Sequence, residues 1–235
     1  MKICYRLSMF LLLILFSQSF ADVKNFLGEV YTESGLSFQY KGCIEAGDKL
    51  AVKKNICYDE KGNAIIDERT EYNESTCEIV NLMIQDFNTG KIEMIVDKGD
   101  SYLVKYKKNH SSNFKETEIE KNGLIIHPTV LAMYMQQNMD AILHGEGVGV
   151  TLLLPSRLTT IDFIITHKGY KQIEGLSCHE VVLEPRSVLI RQFVNPIYFY
   201  VKKDNPSVLV KYEGVLAPTD LQGNSQKGQI LFSFN

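Results

Sequence analysis

One stretch of this chain, residues 128–143, has the 3.6-residue period of an α-helix, whereas the rest of the sequence alternates as strands do. Pro128 suits the first turn of such a helix, and Gly145 suits its C-terminal cap. The helix is amphipathic; its predicted sheet-facing residues are Leu131, Tyr134, Met135, Asn138, Met139 and Ile142. A single amphipathic helix must bury its apolar side against other elements, and the other elements that the sequence predicts are strands.

The segments on both sides of the helix have the two-residue period of half-buried strands and are joined by short polar turns. Leu36, Phe38 and Tyr40 alternate with polar residues, and the sequence DEKGN at 59–63 is typical of a hairpin turn. Beyond the helix we predict strands at residues 148–154, 159–166, 176–183, 188–194, 197–202, 208–216 and 229–234. The sequence therefore predicts a mainly β fold with a meander of antiparallel strands.

The N-terminus has the pattern of a cleaved secretory signal. Lys2 and Arg6 precede an apolar run of about ten residues, and the small residues Ser19 and Ala21 follow it. The run is shorter than the roughly 20 residues that cross a bilayer as a helix. We therefore expect a signal peptide at 1–21, a single β-rich domain at 22–235 with no membrane span, and a periplasmic or secreted protein.

The charge of the processed chain argues against one class of partner. Removal of residues 1–21 takes away two basic residues and no acidic one, which lowers the formal net charge from −3 to −5. A mildly acidic surface gives no electrostatic attraction to a phosphate backbone. We expect no nucleic-acid partner.

Four cysteines remain after processing: Cys43, Cys57, Cys77 and Cys178. An even number in an exported chain permits two disulfides, and four buried free thiols are an equal alternative. If a disulfide forms, Cys43–Cys57 is the best candidate, because the residues between them resemble a turn between neighbouring strands. The spacings match no zinc-binding pattern, and we expect no metal site.

The sequence contains no recognisable catalytic motif. Gly145, Gly147 and Gly149 follow a helix and precede a strand, which is the reverse of the order in a phosphate-binding loop. A Gly-x-Ser-x-Gly nucleophile elbow is absent from the sequence. Cys178 and His179 are neighbours in a predicted strand and would point to opposite faces, so they cannot form a nucleophile and base. We predict a protein that is not an enzyme and that uses no cofactor.

The second half of the chain carries a pattern of helix, glycine-rich turn and apolar strands, in the segments VTLLLPSRLTTIDFIITHKG, GLSCHEVVLEP and NPIYFYVKKDNPSVLVKYEG. This order resembles uncharacterised exported proteins of Gram-negative bacteria with a lipoprotein-carrier (LolA/LolB-like) half-barrel. The resemblance covers residues 114–234. It implies a curved antiparallel sheet, a half-barrel or open barrel, wrapped around the helix at 128–143. It also implies a cavity between sheet and helix for an acyl chain or another apolar ligand.

Three functions follow from this architecture. The first is a non-catalytic binding or carrier module of the cell envelope for a lipidic or apolar ligand, held by the six helix residues named above. The second is a structural or interaction module of the periplasm with a filled core and an envelope protein as partner. The third and least favoured is an outer-membrane β-barrel, because Ile230, Phe232 and Phe234 alternate at the C-terminus.

Overall fold

The computed structural model describes residues 23–32, 35, 37–219 and 225–234 of the chain. They form one sheet of fifteen strands. The first half of the sheet consists of β1 (Val23–Thr32), β2 (Ser37–Ala46), β3 (Leu50–Tyr58), β4 (Ala64–Asn73), β5 (Ile79–Asp86), β6 (Ile92–Asp97), β7 (Ser101–Lys107) and β8 (Lys115–Glu120). The second half consists of β9 (Ile125–Ile126), β10 (Val148–Leu154), β11 (Thr159–Ile173), β12 (Leu176–Pro185), β13 (Ile197–Lys202), β14 (Leu209–Thr219) and β15 (Ser225–Phe234).

From β1 to β8 and from β10 to β15, strands that follow one another in the chain pair antiparallel, and β1 pairs with β15 to join the two halves. Only the short β9 is parallel to its neighbour β10. The sheet is strongly curved, and the 3₁₀ turn Pro155–Arg157 after β10 lies against β6 and β7. Within the described residues β8 and β9 form the two edges, so the sheet does not close. The predicted mainly β fold, a curved antiparallel sheet around a helix, is confirmed.

The helix predicted at 128–143 is three shorter pieces in the structure. A 3₁₀ turn at Pro128–Val130 is followed by α1 (Leu131–Gln137) and α2 (Met139–Leu143). Asn138 separates the two helices, because its φ of −108° and ψ of 14° lie outside the helical range. The 3₁₀ turn contacts β4 and α2 contacts β11, so this helical segment bridges the two halves of the concave face.

Side chains alternate between a concave inner face and a convex outer face of the sheet. On β1, Val30 points inward and is fully buried, whereas Glu29 and Tyr31 point outward and are exposed. The main hydrophobic core fills the inner face and includes the helical segment; its fully buried members include Ile66, Leu82, Ile95, Ile126, Ile142 and Ile165.

One predicted strand is wrong. The apolar residues at 188–194 form a single helical turn, α3 (Val188–Arg191), between β12 and β13. Several strands are also longer than predicted, most of all β11, which continues to Ile173. The signal peptide predicted at 1–21 lies outside the described residues. None of the helices in the described part of the chain has the length and apolar character to span a membrane.

Candidate functional site

The predicted ligand-binding residues of the helix are packed into the core. Leu131, Tyr134, Met135, Met139 and Ile142 are buried, and Asn138 is half-buried. The Tyr134 hydroxyl donates to the Gly149 carbonyl at 3.0 Å, and burial raises the pKa of this phenol. The amide nitrogen of Asn138 donates to the Tyr134 carbonyl at 2.8 Å. These six residues therefore have protein neighbours on the inner face of the sheet.

A polar network that the sequence did not predict holds the start of the helical segment on the inner face. Lys53 Nζ donates to the Thr129 carbonyl at 2.7 Å and lies 3.3 Å from Glu68 Oε1. Asn55 Nδ2 donates to the same oxygen of Glu68 at 2.8 Å. Both members of the ion pair are largely buried, with side chains 14% and 9% exposed. Three polar groups of β3 and β4 therefore lie inside the curved sheet.

A second ion pair flanks the same turn. His127 Nε2 lies 3.8 Å from Glu93 Oε2, and Lys91 Nζ lies 3.4 Å from Glu93 Oε1. Burial acts to raise the pKa of Glu93, but the hydrogen bond from His127 and the charge of Lys91 outweigh it and hold the pKa below its ordinary value. His127 Nδ1 also accepts from the Thr129 backbone at 3.2 Å and caps the turn. Both ends of the network thus meet at Thr129.

The inner face leaves little free space around this network. A side chain at Gly42 would collide with the Phe26 ring and with Asn55 Oδ1, so both of these side chains would have to move to make room for it. Asn55 Oδ1 is buried and has no hydrogen-bond partner among the described residues. The network therefore anchors the helical segment and is closely packed by its neighbours, which is the arrangement of a structural element.

The predicted Cys43–Cys57 disulfide is wrong in this structure, where both thiols are free. The register pairs Cys57 with Tyr40 and Cys43 with Lys54. The two cysteines therefore lie three positions apart and on opposite faces of the sheet, and a disulfide cannot join them. Burial raises the pKa of the Cys57 thiol to about 12 and that of Cys77 to about 11. Neither thiol is set up as a nucleophile.

Cys178 and His179 point to opposite faces of β12, as the sequence predicted. Cys178 packs on the outer face with Tyr200 and Val210. His179 Nδ1 instead lies 3.2 Å from His167 Nε2, and the two rings adjoin Tyr170. Burial and the neighbouring His167 lower the pKa of His179. Within the described residues no three His, Cys, Asp or Glu side chains are grouped so as to hold a metal ion.

Two cavities lie beside the central strands of the sheet, and both are lined in part by residues of its outer face. The first, the β13–β15 cavity, has a volume of about 550 Å³ and is lined by Tyr31, Pro196, Tyr198, Glu213, Val215 and Lys227, among others. The register places Tyr198, Glu213 and Gln229 side by side on the outer face. The cavity is partly open to solvent.

The second, the β1–β3 cavity, has a volume of about 560 Å³, and its lining includes the polar residues Glu29, Gln39, Lys41, Asp59 and Glu60 as well as Val30, Phe38 and Tyr58. Tyr31 lines both cavities and donates a hydrogen bond to Glu29 at 2.8 Å. None of the six predicted ligand-binding residues of the helix lines either cavity.

The fold and these sites define an open, barrel-like β protein with a helical segment against its concave face. No protein-family model matches the sequence, and a comparison with curated protein sequences gives no match. The chain is similar in structure to a beta-barrel-like protein of Domain of Unknown Function DUF1849 from Brucella abortus. The TM-score is 0.51 and the identity is 8%, and the match covers 91% of this chain and 97% of that chain.

A second solved structure is a DUF1329 family protein from Desulfovibrio piger, with a TM-score of 0.29 and 10% identity over 91% of this chain and 82% of that chain. The similarity to the DUF1849 protein shows a barrel-like fold over nearly the whole chain, including the first half, which the resemblance at 114–234 did not cover. The finer resemblance to the lipoprotein-carrier half-barrel stays a prediction.

Proposed function

We propose that this protein is a non-catalytic binding module of the cell envelope, exported to the periplasm or beyond, and that its ligand is apolar or amphipathic. The observation that carries the proposal is the β13–β15 cavity. Its volume of about 550 Å³ falls within the range of ligand sites, roughly 300–1,000 Å³. The signal-like N-terminus supports the proposed location.

The lining of this cavity suits an amphipathic molecule. Tyr31, Tyr198 and Val215 offer aromatic and aliphatic surface, and both Tyr31 and Val215 are partly exposed to solvent. Lys227 and Glu213 add charged groups beside that surface. An acyl chain or a flat ring would cover the apolar wall, while a polar head group would be held by the charges. The β1–β3 cavity has four charged lining residues against two in the β13–β15 cavity, so it suits such a ligand less well.

Fluorescent fatty-acid binding tests this location. The probe is cis-parinaric acid, titrated into the purified chain. Val215→Asp puts a carboxylate into the apolar wall beside Glu213, and we expect it to weaken probe binding about tenfold because the apolar contact is lost and the probe's carboxylate is repelled. Met83→Asp is the matched control, because Met83 is exposed to a similar degree on β5 and lines neither cavity.

A third variant separates the β13–β15 cavity from the site predicted under the helix. If Met139→Ala weakens probe binding and Val215→Asp does not, while circular dichroism shows both variants folded, the ligand lies under the helix. Native mass spectrometry of gently purified protein gives an independent measurement. A chain that is reproducibly empty and binds no probe contradicts the proposed function.

The filled inner face favours a second candidate, an interaction module of the envelope without a small ligand. Five of the six helix residues are buried in the core. A protein of this kind would bind an envelope partner through its outer face and rim. The same mass spectrometry distinguishes the two candidates, because this second candidate requires an empty chain.

A further inference from the structure

The most exposed apolar side chains in the described part of the chain belong to one short segment. Val188 is 70% exposed, Leu189 is 74% exposed and Phe193 is 85% exposed. We call these three residues the α3 tip. The segment itself is anchored, because Val194 packs against the core and Arg191 Nε donates to the Pro185 carbonyl at 2.6 Å. A fixed segment thus exposes three apolar side chains to water. In soluble proteins, an exposed apolar patch of this kind usually marks a binding site.

The α3 tip is flanked by positive charge. Arg186 and Arg191 are both exposed and lie on either side of Val188 and Leu189 in the sequence. Neither guanidinium pairs with a carboxylate within the described residues. The whole chain has a formal net charge of −3, so the positive charge at this segment is opposite in sign to the net charge of the protein. The segment is therefore electrostatically complementary to an anionic surface.

We propose that the α3 tip docks the protein on a bilayer that contains anionic phospholipids. The apolar side chains enter the boundary between head groups and acyl chains, and the two arginines contact lipid phosphates. Apolar and cationic groups that lie side by side favour binding to anionic bilayers. The burial of apolar area and the electrostatic attraction to the anionic surface both contribute to the free energy of binding.

The size of the segment favours a bilayer over a protein partner. A stable protein interface buries about 800 Å² on each side and needs some 20–30 residues. Three apolar side chains and two arginines between residues 186 and 193 provide much less, and the neighbouring residues Ser187 and Asn195 do not extend the apolar surface, because both are polar and exposed. A bilayer accepts such a small projection because it deforms around each inserted side chain.

The location of the tip has a further consequence. Asn195 and Pro196 follow the α3 segment directly and line the β13–β15 cavity. A protein docked through the tip would hold the mouth of this cavity close to the lipid head groups. The docking proposal does not rest on the ligand, however, since vesicle binding can be measured whether or not the cavity is occupied.

Vesicle flotation tests the proposal with the full chain. The vesicles contain phosphatidylethanolamine and phosphatidylglycerol, and a second set contains phosphatidylcholine alone. We expect the wild-type chain to float with the anionic vesicles, and the double variant Leu189→Ser, Phe193→Ser to bind them at least about tenfold more weakly. Leu176→Ser is the matched control: this leucine is 40% exposed at the opposite end of β12, and its loss should leave flotation unchanged.

The charge is tested separately with Arg186→Gln. We expect weaker binding to the anionic vesicles, a smaller dependence of binding on salt, and no change with phosphatidylcholine. The proposal is overturned if the wild-type chain does not float, or if the double variant floats as well as the wild type. It is also overturned if the double variant converts a dimer into a monomer in light scattering, because the tip would then be a contact between two copies of this chain.

Discussion

The inner face beneath the helical segment and the segment around α3 differ in whether their apolar and charged side chains have protein partners. Beneath the helix, apolar side chains are buried and even the charged residues Lys53, Glu68 and Glu93 have partners. Around α3, apolar side chains are exposed, the nearby arginines lack carboxylate partners in the described structure, and a cavity opens to solvent. The two regions therefore have different roles. Substitutions in the first should lower the free energy of unfolding, and substitutions in the second should leave the protein folded and change what it binds.

The largest effect is expected for Glu68. Glu68→Ala leaves the Lys53 ammonium inside the curved sheet without its carboxylate and removes the hydrogen bond from Asn55. Breaking a buried ion pair from one side typically costs about 3–5 kcal/mol. The free energy of unfolding in urea should fall by an amount of that order.

The control for Glu68 is Glu116→Ala. Glu116 pairs with Lys105 on the outer face, where both side chains are exposed, and an ion pair of this kind contributes about 0–1 kcal/mol. Equal losses of stability for the two variants would contradict the assignment of Glu68 to the interior.

Ile142→Ala tests the packing of the helical segment itself. Ile142 is fully buried, and deletion of its methyl and methylene groups should lower the free energy of unfolding by about 2–4 kcal/mol. Leu189→Ala removes a side chain of the same size from the α3 tip and should change stability by no more than about 0.5 kcal/mol. If the two variants lose similar stability, Leu189 is buried in solution, and the proposed docking of the α3 tip on a bilayer is contradicted.

The smallest effect is the contribution of Glu93 to the pH dependence of stability. Its pKa is lowered from 4.5 in the folded chain, so the carboxylate stabilises the fold above that value and the contribution disappears as the pH falls through the lowered pKa. Glu93→Gln should therefore be less stable than the wild type near neutral pH, and the gap should narrow in acid. Urea unfolding across that pH range measures it. A gap that is independent of pH would mean that the Glu93 charge does not matter.

The sequence predicted the elements whose period is long and regular. The helical period at 128–143 correctly selected residues that the structure buries, including Met135 and Ile142. It did not predict the break at Asn138, because a single residue with non-helical dihedrals does not disturb the apolar pattern. It also gave no means of distinguishing a core surface from a ligand site, since both require the same apolar side chains.

Two features escaped prediction for different reasons. The segment at 188–194 has the apolar composition of a buried strand, and composition alone does not show that Leu189 and Phe193 face solvent. The inner polar network depends on contacts between distant positions, such as that of Lys53 with Thr129. A signal did exist for Glu68: in β4 charged residues occur at successive positions, so at least one had to face inward.

In the described part of the chain β8 has a free edge, and this edge bears on self-association. An unpaired strand can template the addition of a strand from another molecule and so begin polymerisation. In β8 the residues Glu116, Glu118 and Glu120 are exposed on one face. An incoming copy of the same strand would bring its own row of carboxylates against them, and the repulsion would oppose pairing. The open barrel thereby leaves the outer edge of β8 unpaired without inviting fibril growth from that edge.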